Sequence, residues 1–457
     1  MTSPRIHDNI LSCVGNTPVV RLNRVHDGAR TPIYAKCEFM NPGGSVKDRI
    51  GLAIIEDAER RGAIRPGGTI VEGTSGNTGI GLAIAAAIKG YRCVFTIPDK
   101  MSIEKVRLLK AFGAEVIVTP TVEPDHPEYY VRVAKDIVEK TPNSYLANQF
   151  YNQVNPEAHY RTTGPELWEQ MAGRIDVLVG GLGTGGTMSG TSRYLKERRP
   201  EIRSIGADPQ GSLFKGFKET GVLGEGAVYK VEGIGNDKIP DTAWLDWIDE
   251  FRTVSDKESF AIARRLTREE GIFVGGSSGT AVKVAIDVAR EMDDPNGSIV
   301  VFLPSTGERY LSKLHNDEWM RENRFLDEPA ANVRDLMLEK PATSRELVFC
   351  SSTALVRDAL KIMADKAFSQ IPVIDHGECI GSLRESRVMG LVLDGKTALD
   401  VPVREILEAP FPVIGENESL EYVTRLLGRE NTALLVRTGA GLAGIITRHD
   451  VIHSMTR

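Results

Sequence analysis

The chain has 457 residues and carries 56 Lys and Arg against 62 Asp and Glu, a formal net charge of −6. At about 100–200 residues per domain, that length predicts two to four domains with ample core. A hydrophobic content of 41% excludes wholesale disorder, and a pI near 5.9 argues against a general nucleic-acid binder.

In chain order, the opening Met1–His7 has no apolar run, so no signal peptide is expected, and no stretch reaches the about 18 apolar residues of a membrane span. Up to about residue 320, short apolar runs alternate with helical periods. Val94–Ile97, Val116–Val118, Val177–Val179, Ile205–Ala207 and Ile299–Leu303 read as buried parallel strands. Ile50–Arg61, Gly79–Ile88, Ile103–Phe112, Tyr130–Lys140, Gly186–Glu197, Lys257–Glu270 and Thr280–Glu291 read as helices. The alternation predicts an α/β fold with open sheets covered on both faces. Residues 320–332 are polar and end Asp-Glu-Pro-Ala-Ala-Asn, which reads as a linker. Beyond it lie two units that resemble each other. Val333-Arg-Asp-Leu-Met matches Val403-Arg-Glu-Ile-Leu, helix-like Ala354–Ala364 matches Ser419–Leu427, Ile371-Pro-Val-Ile matches Ala433-Leu-Leu-Val, and Ile380-Gly-Ser-Leu matches Ala443-Gly-Ile-Ile. Two copies suggest a tandem domain rather than a solenoid. The expected domains are 1–326, 327–398 and 399–457.

Cys13, Cys37, Cys93, Cys350 and Cys379 form no CxxC pair, so no disulfide framework or metal site is expected and a cytoplasmic location is the simplest. Three segments carry the chemical signal. In Asn41-Pro-Gly-Gly-Ser-Val-Lys-Asp-Arg49, a tight turn sets Lys47 at the head of an apolar helix. The helix dipole and partial burial both favour a neutral amine there, as Schiff-base chemistry requires. An ordinary surface lysine is the plain alternative. Thr74-Ser-Gly-Asn-Thr-Gly79 exposes backbone N–H groups and hydroxyls before an Ala-rich helix, a cradle for a carboxylate or phosphate, or simply a capping turn. Gly180-Gly-Leu-Gly-Thr-Gly-Gly-Thr187 follows a strand and opens a helix. Its Gly181, Gly183 and Gly186, with Asp208 some twenty residues on, also satisfy the nominal dinucleotide fingerprint. One phosphate, one carboxylate and one amine fit the three loops better than a dinucleotide. A fourth run, Gly275-Gly-Ser-Ser-Gly-Thr280, again precedes a helix.

Taken in order with Gly15-Asn-Thr-Pro18, these motifs resemble the fold-type II pyridoxal-phosphate enzymes, in the branch of the cystathionine β-synthases and cysteine synthases, over residues 5–320. The repeats resemble a CBS domain pair (Bateman module). The resemblance implies a two-lobed fold (tryptophan synthase β-like) followed by a tandem α+β pair. It implies that Lys47 holds pyridoxal 5'-phosphate and then serves as general acid and base. Gly183, Thr184, Gly185, Gly186 and Thr187 would bind the phosphate, Asn77 the ring 3-oxygen, and Ser277 would face the pyridine nitrogen. Thr74, Ser75, Thr78 and Gln149 would hold the substrate carboxylate. A neutral hydroxyl at the ring nitrogen makes a weaker electron sink than an aspartate would, which suits loss of a β-substituent and addition of a thiol.

Within the branch, Asp208-Pro-Gln-Gly-Ser212, Val231-Glu-Gly-Ile-Gly235 with Asp237, Asn316-Asp-Glu-Trp-Met320 and the CBS pair resemble cystathionine β-synthase, implying L-cystathionine from serine, or an O-activated serine, and homocysteine. Release of hydrogen sulfide from cysteine is an accompanying expectation. Leu303-Pro-Ser-Thr-Gly-Glu-Arg-Tyr-Leu311 looks more like the cysteine synthases, and Asn236 and Phe150 stand where eukaryotic cystathionine β-synthases typically carry tyrosine. Cysteine synthase is therefore the close alternative. A non-catalytic adenosyl-ligand sensor and a nicotinamide oxidoreductase are the distant ones. Because the Gly15 motif begins almost at once, no haem is expected, with His7 and Cys13 read as ordinary surface and core residues. In the repeats, the ribose-gripping Gly-x-x-Thr-x-x-Asp pattern survives once, at Thr447 and Asp450. The first copy has Arg384 and Arg387 instead. The resemblance implies S-adenosylmethionine or an adenine nucleotide there, with an oligomerisation module without ligand as the alternative. A homodimer or homotetramer is likewise implied.

Overall fold

The computed structural model describes residues 6–123, 125–326, 332–340, 345–395, 399–428, 431–439 and 441–455. The chain forms two compact units, divided between Leu326 and Asp327.

The first unit has two sheets. In chain order its strands are β1 (Val19–Arg21), β2 (Ile33–Lys36), β3 (Thr69–Gly73), β4 (Arg92–Pro98), β5 (Glu115–Thr119), β6 (Ser144–Leu146), β7 (Val177–Gly181), β8 (Arg203–Pro209), β9 (Glu250–Val254) and β10 (Ile299–Phe302). The larger sheet runs β1-β2-β10-β7-β8-β9 and the smaller β5-β4-β3-β6. Every pairing is parallel except β1 with β2. This is the α/β architecture expected, and the five expected strands fall in β4, β5, β7, β8 and β10. Both faces of the larger sheet are covered, which is why its strands read as continuous apolar runs. Val177, Val179, Ile299 and Val301 enter one core, whereas Leu178, Val300 and Phe302 enter the other. The smaller sheet packs on the helices Lys47–Arg60 and Asn77–Lys89 through Ile50, Ile54, Ile80, Leu82 and Phe95.

Two expectations need correcting. The linker does not begin at residue 320. The helix Asp317–Glu322 buries Met320 completely, and Trp319 and Phe325 pack edge-on against Phe260, so the first unit extends to Leu326. The polar residues around Met320 are the solvent face of that helix; residues 327–331 lie outside the described residues. Cys13 is exposed rather than core, because it ends a surface 3₁₀ turn at Ile10–Cys13 that buries nothing.

The second unit has β11 (Gln370–Asp375) paired antiparallel with β12 (Glu378–Arg384). Its other sheet has β13 (Val413–Gly415), β14 (Ala433–Thr438) and β15 (Gly441–Thr447) in sequential order. The repeats exchange their leading segments. Val333 and Leu336 join the core of Ile414, Leu434 and Ile446, whereas Val403 joins that of Val356, Ile371 and Val373. Val356 and Val403 seal the exchange by backbone bonds, to Val401 O at 3.0 Å and Ala354 O at 2.8 Å.

Candidate active site

The first unit's two sheets present the C-terminal ends of β3, β7 and β10 to one cleft, the usual ligand position in open α/β sheets. Its walls are made by Val46, Lys47, Asn77, Gly181, Gly183, Thr184, Gly185, Thr187, Gly233, Ile234, Ser277, Phe302 and Pro304. Residues from all three glycine-rich loops and the Lys47 turn therefore meet in space.

Lys47 is the first residue of its helix, which has no side-chain cap. It is half-buried, and loss of hydration lowers its amine to about 8. No carboxylate lies within ion-pair distance of its Nζ among the described residues. The turn before it is tied to the segment after β10: Val46 N–H donates to Pro304 O at 2.9 Å, and Thr306 N–H to Gly44 O at 3.0 Å. Asp48 receives the Gly43 N–H, and burial raises its carboxyl to about 6. The Lys47 and Asn77 helices touch backbone to backbone. A Cβ at Gly51 would sit 2.3 Å from Gly81 C, and one at Gly81 2.5 Å from Lys47 O. Two glycines thus let both helix N-termini reach the cleft side by side.

The loop after β7 is held from behind. Thr184 Oγ1 accepts from Asn155 Nδ2 at 2.9 Å, its carbonyl accepts from Thr242 Oγ1 at 2.6 Å, and Gly183 O accepts from Asn236 Nδ2 at 3.2 Å. Thr187 Oγ1 lies 3.2 Å from His159 Nε2, whose Nδ1 lies 2.8 Å from Thr163 Oγ1. Burial, with Lys47 and Arg49 nearby, holds His159 well below the usual imidazole range, so it is neutral. A π-turn at His159–Thr163 brings that ring under the loop. Gly185 is left-handed at φ +84, and a Cβ there would lie 2.5 Å from Ala243. Gly186 is pressed against Asn155, behind the cleft wall, so its expected phosphate contact rests on its backbone alone. The N–H groups of Gly183, Thr184 and Gly185 have no partner among the described residues. Three unpaired N–H groups at the head of the helix Gly186–Lys196 fit a phosphate.

Asn77 begins its helix, and its Oδ1 accepts from Arg309 Nη1, which leaves Nδ2 as the end free to donate. Arg309 is 3% exposed, has an unpartnered Nε and is pulled down by burial. Ser277 lies in the first turn of Gly276–Met292, is 3% exposed and lines the wall.

Thr74, Ser75, Thr78 and Gln149 form an adjoining group rather than the wall itself. Thr78 Oγ1 donates to Gln149 Oε1 at 2.5 Å. Thr74 Oγ1 is turned into its own loop, accepting from Gly76 N–H at 3.0 Å and Gly79 N–H at 3.3 Å, and Ser75 is half-buried. Glu72, in β3, carries this group: its carboxylate accepts from Asn148 N–H at 2.6 Å and Gln149 N–H at 3.2 Å. Burial raises it to about 7 despite those bonds. Neither Glu72 nor Arg309 was a sequence candidate, and the only signal was a charged residue inside an apolar strand in one case and next to a glycine turn in the other.

In the second unit, Asp450 lies in the first turn of the helix Arg448–Met455. Its Oδ2 accepts from Thr447 N–H at 2.7 Å, Thr447 Oγ1 at 2.8 Å and Lys340 Nζ at 3.1 Å. Arg384 in the first repeat is bound to Glu408, with Nη2 to Oε1 at 2.8 Å.

Asp208, the acid of the dinucleotide pattern, is 1% exposed and accepts from Lys215 N–H at 3.2 Å, so it serves as a local cap. Among the described residues, no helix is long and apolar enough to cross a membrane.

The family profile "Pyridoxal-phosphate dependent enzyme" matches residues 10–305, and "CBS domain" matches 331–394 and 403–457. The chain is 40% identical over 477 residues to a cystathionine beta-synthase of Oryctolagus cuniculus, covering 99% of this chain and 85% of that one. It is 38% identical over 467 residues to that of Dictyostelium discoideum, covering 98% and 92%. Among solved structures, an O-acetylserine dependent cystathionine beta-synthase from Helicobacter pylori matches with TM-score 0.63 and 39% identity, over 68% of this chain and 99% of that one. A hydrogen sulfide-producing enzyme from Fusobacterium nucleatum matches with TM-score 0.62 and 36% identity, over 67% and 100%. The nicotinamide and non-catalytic alternatives fall with this assignment. The chain belongs to the cystathionine β-synthase family: it is a pyridoxal-phosphate dependent lyase with a C-terminal pair of CBS domains.

Proposed function

We propose that the protein replaces the β-hydroxyl of L-serine, or its O-activated form, with the sulfur of L-homocysteine to give L-cystathionine. The observation that carries this reading is the single cleft joining Lys47, the Gly183–Thr187 loop and Ser277, in a chain alike end to end to cystathionine β-synthases. The Cβ–O bond breaks, a Cβ–S bond forms, and with serine the thiol proton leaves with the hydroxyl as water. No oxidant or reductant is needed.

In this reading Lys47 holds pyridoxal phosphate, and the free N–H groups of Gly183, Thr184 and Gly185 with the Thr184 and Thr187 hydroxyls take its phosphate. When bound, the cofactor supplies an electron-withdrawing ring that acidifies the Cα proton of an attached amino acid. Asn77 donates through Nδ2 because Arg309 occupies its Oδ1. Ser277 offers a neutral hydroxyl, which favours departure of the β-substituent over long storage of charge in a ring. The Thr74–Thr78 loop and Gln149, braced by Glu72, receive the substrate carboxylate. With an amine lowered to about 8, Lys47 accepts the Cα proton near neutral pH and returns it after the thiol has added.

The cysteine-synthase-like segment Leu303–Leu311 and the O-acetylserine dependence named for the Helicobacter pylori relative favour a second reading of the leaving group, acetate in place of water. Release of hydrogen sulfide from cysteine is the same chemistry with sulfide departing. Comparing kcat/KM for serine and O-acetylserine, each with homocysteine and with sulfide, tests both readings. The expected order puts homocysteine above sulfide. Cysteine formation alone would assign a cysteine synthase instead.

At the CBS pair we propose one adenosyl-ligand site at Thr447 and Asp450, closed in this conformation by Lys340. Its ribose hydroxyls would take the place of the Lys340 ammonium on the Asp450 carboxylate.

A further inference from the structure

A lysine four positions beyond the cleft residue Ile234 has no role in the chemistry above. Lys238 is half-buried, and its Nζ lies 5.6 Å from the ring centroids of Phe150 and Tyr151 and 5.8 Å from that of Tyr129. Three aromatic rings hold the ammonium in place without neutralising it. Among the described residues no carboxylate lies within ion-pair distance of it, and its acidic neighbour Asp237 is exposed.

The segment that carries Lys238 is fastened on both sides to the loop after β7, and on one side to the residue that follows Gln149. Asn236 donates to Gly183 O at 3.2 Å, and Thr242 Oγ1 donates to Thr184 O at 2.6 Å and to Phe150 O at 3.2 Å. Phe150 directly follows Gln149, whose side chain meets Thr78 at 2.5 Å. The ammonium therefore stands beside the residue that follows Gln149, next to the group proposed to take the first substrate's carboxylate and outside the cleft wall. A fixed cation without a counter-ion, partly withdrawn from water, is a site for an anion.

We infer that Lys238, caged by Tyr129, Phe150 and Tyr151, binds the α-carboxylate of the incoming thiol substrate and so makes the enzyme select an amino-acid thiol over sulfide. This rests on the proposed β-replacement and adds to it the residue that chooses the nucleophile. Sulfide has no carboxylate and gains nothing from Lys238; homocysteine gains a charge pair outside the reacting centre, which lowers KM rather than raising kcat.

The test uses the full-length holoenzyme with serine, and two thiols that differ by one group, L-homocysteine and 3-aminopropane-1-thiol, which lacks the carboxylate. In Lys238→Gln the ratio of kcat/KM for homocysteine to that for the aminothiol is expected to fall about tenfold, through KM for homocysteine, with Lys238→Arg retaining most of it. An unchanged ratio in Lys238→Gln overturns the inference, as does a rise in KM for serine in place of that for the thiol. Cystathionine formation by the wild type separates the two levels. If it occurs and the ratio does not move, only the role of Lys238 falls; if it does not occur, the β-replacement reading falls and this inference with it.

Discussion

Lys47 sits where three physical effects agree: a helix N-terminus, partial burial and no counter-ion among the described residues. Because only the neutral amine condenses with an aldehyde, the apoprotein's capture of pyridoxal phosphate should quicken as pH rises, half-maximal near the depressed value of about 8. Stopped-flow absorbance checks this, and a rate flat between about pH 6.5 and about 9 would contradict it. Glu72 gives a prediction of opposite kind. Its folded-state carboxyl is raised from 4.5 to about 7, so its contribution to stability is complete below the lower value and is lost as pH rises through the higher one. The Tm difference between wild type and Glu72→Gln should therefore move against the wild type across that window. Arg309→Met frees Asn77 to rotate, and a fall in kcat of about 10-fold or more with folding retained is expected from losing one oriented donor. That Lys47, Asn77 and the Gly183–Thr187 loop belong to one cleft was legible in sequence because each lies in a short run of Gly, Ser, Thr and Asn whose backbone chemistry is local. Glu72 and Arg309 were not, since each acts on a residue 76 or 232 positions away.

At the scale of elements, the contact between Gly51 and Gly81 decides where the Lys47 turn stands. Gly81→Ala would thrust a methyl into Lys47 O, and a loss of about 1–3 kcal/mol is expected, measured by denaturant unfolding. The apolar run of β7, buried on both faces, and the amphipathic helix Asp256–Glu270 with its Ser255–Glu258 capping box were readable from pattern alone. The strands β1, β2, β6 and β9 were not read, because Arg21, Lys36, Ser144 and Glu250 break what would otherwise be continuous apolar runs. The helix Gly276–Met292 begins four residues before the expected Thr280. Its glycines suggested a turn, yet Gly279 is there because a Cβ would lie 1.8 Å from Ser259 O. In the second unit the exchange of Val333–Glu339 and Val403–Glu405 between cores was hidden, because like segments of two repeats carry no mark of which core they enter. Removing the internal partner of Asp450 by Lys340→Met should tighten any adenosyl ligand there, and Asp450→Ala should weaken it, both read by calorimetry.

Across the whole molecule, the first unit contains its complete cleft and its own cores, so a chain ending at Leu326 should fold and bind cofactor. Ending it at Lys313 would remove Met320 and Phe325 from the cluster around Phe260, and a lower Tm is expected. The net charge of −6 never bore on the cofactor, because the proposed phosphate site is made of backbone N–H groups and hydroxyls rather than of cations. In the proposed reaction Lys47 and its loops join a serine carbon to the sulfur of homocysteine. Mass spectrometry of the product from carbon-13 serine and homocysteine tests it most directly, with Lys47→Ala as the paired control. Labelled cystathionine is expected from the wild type and none from the variant. Absence of cystathionine from both serine and O-acetylserine, with cysteine still formed from O-acetylserine and sulfide, would contradict it.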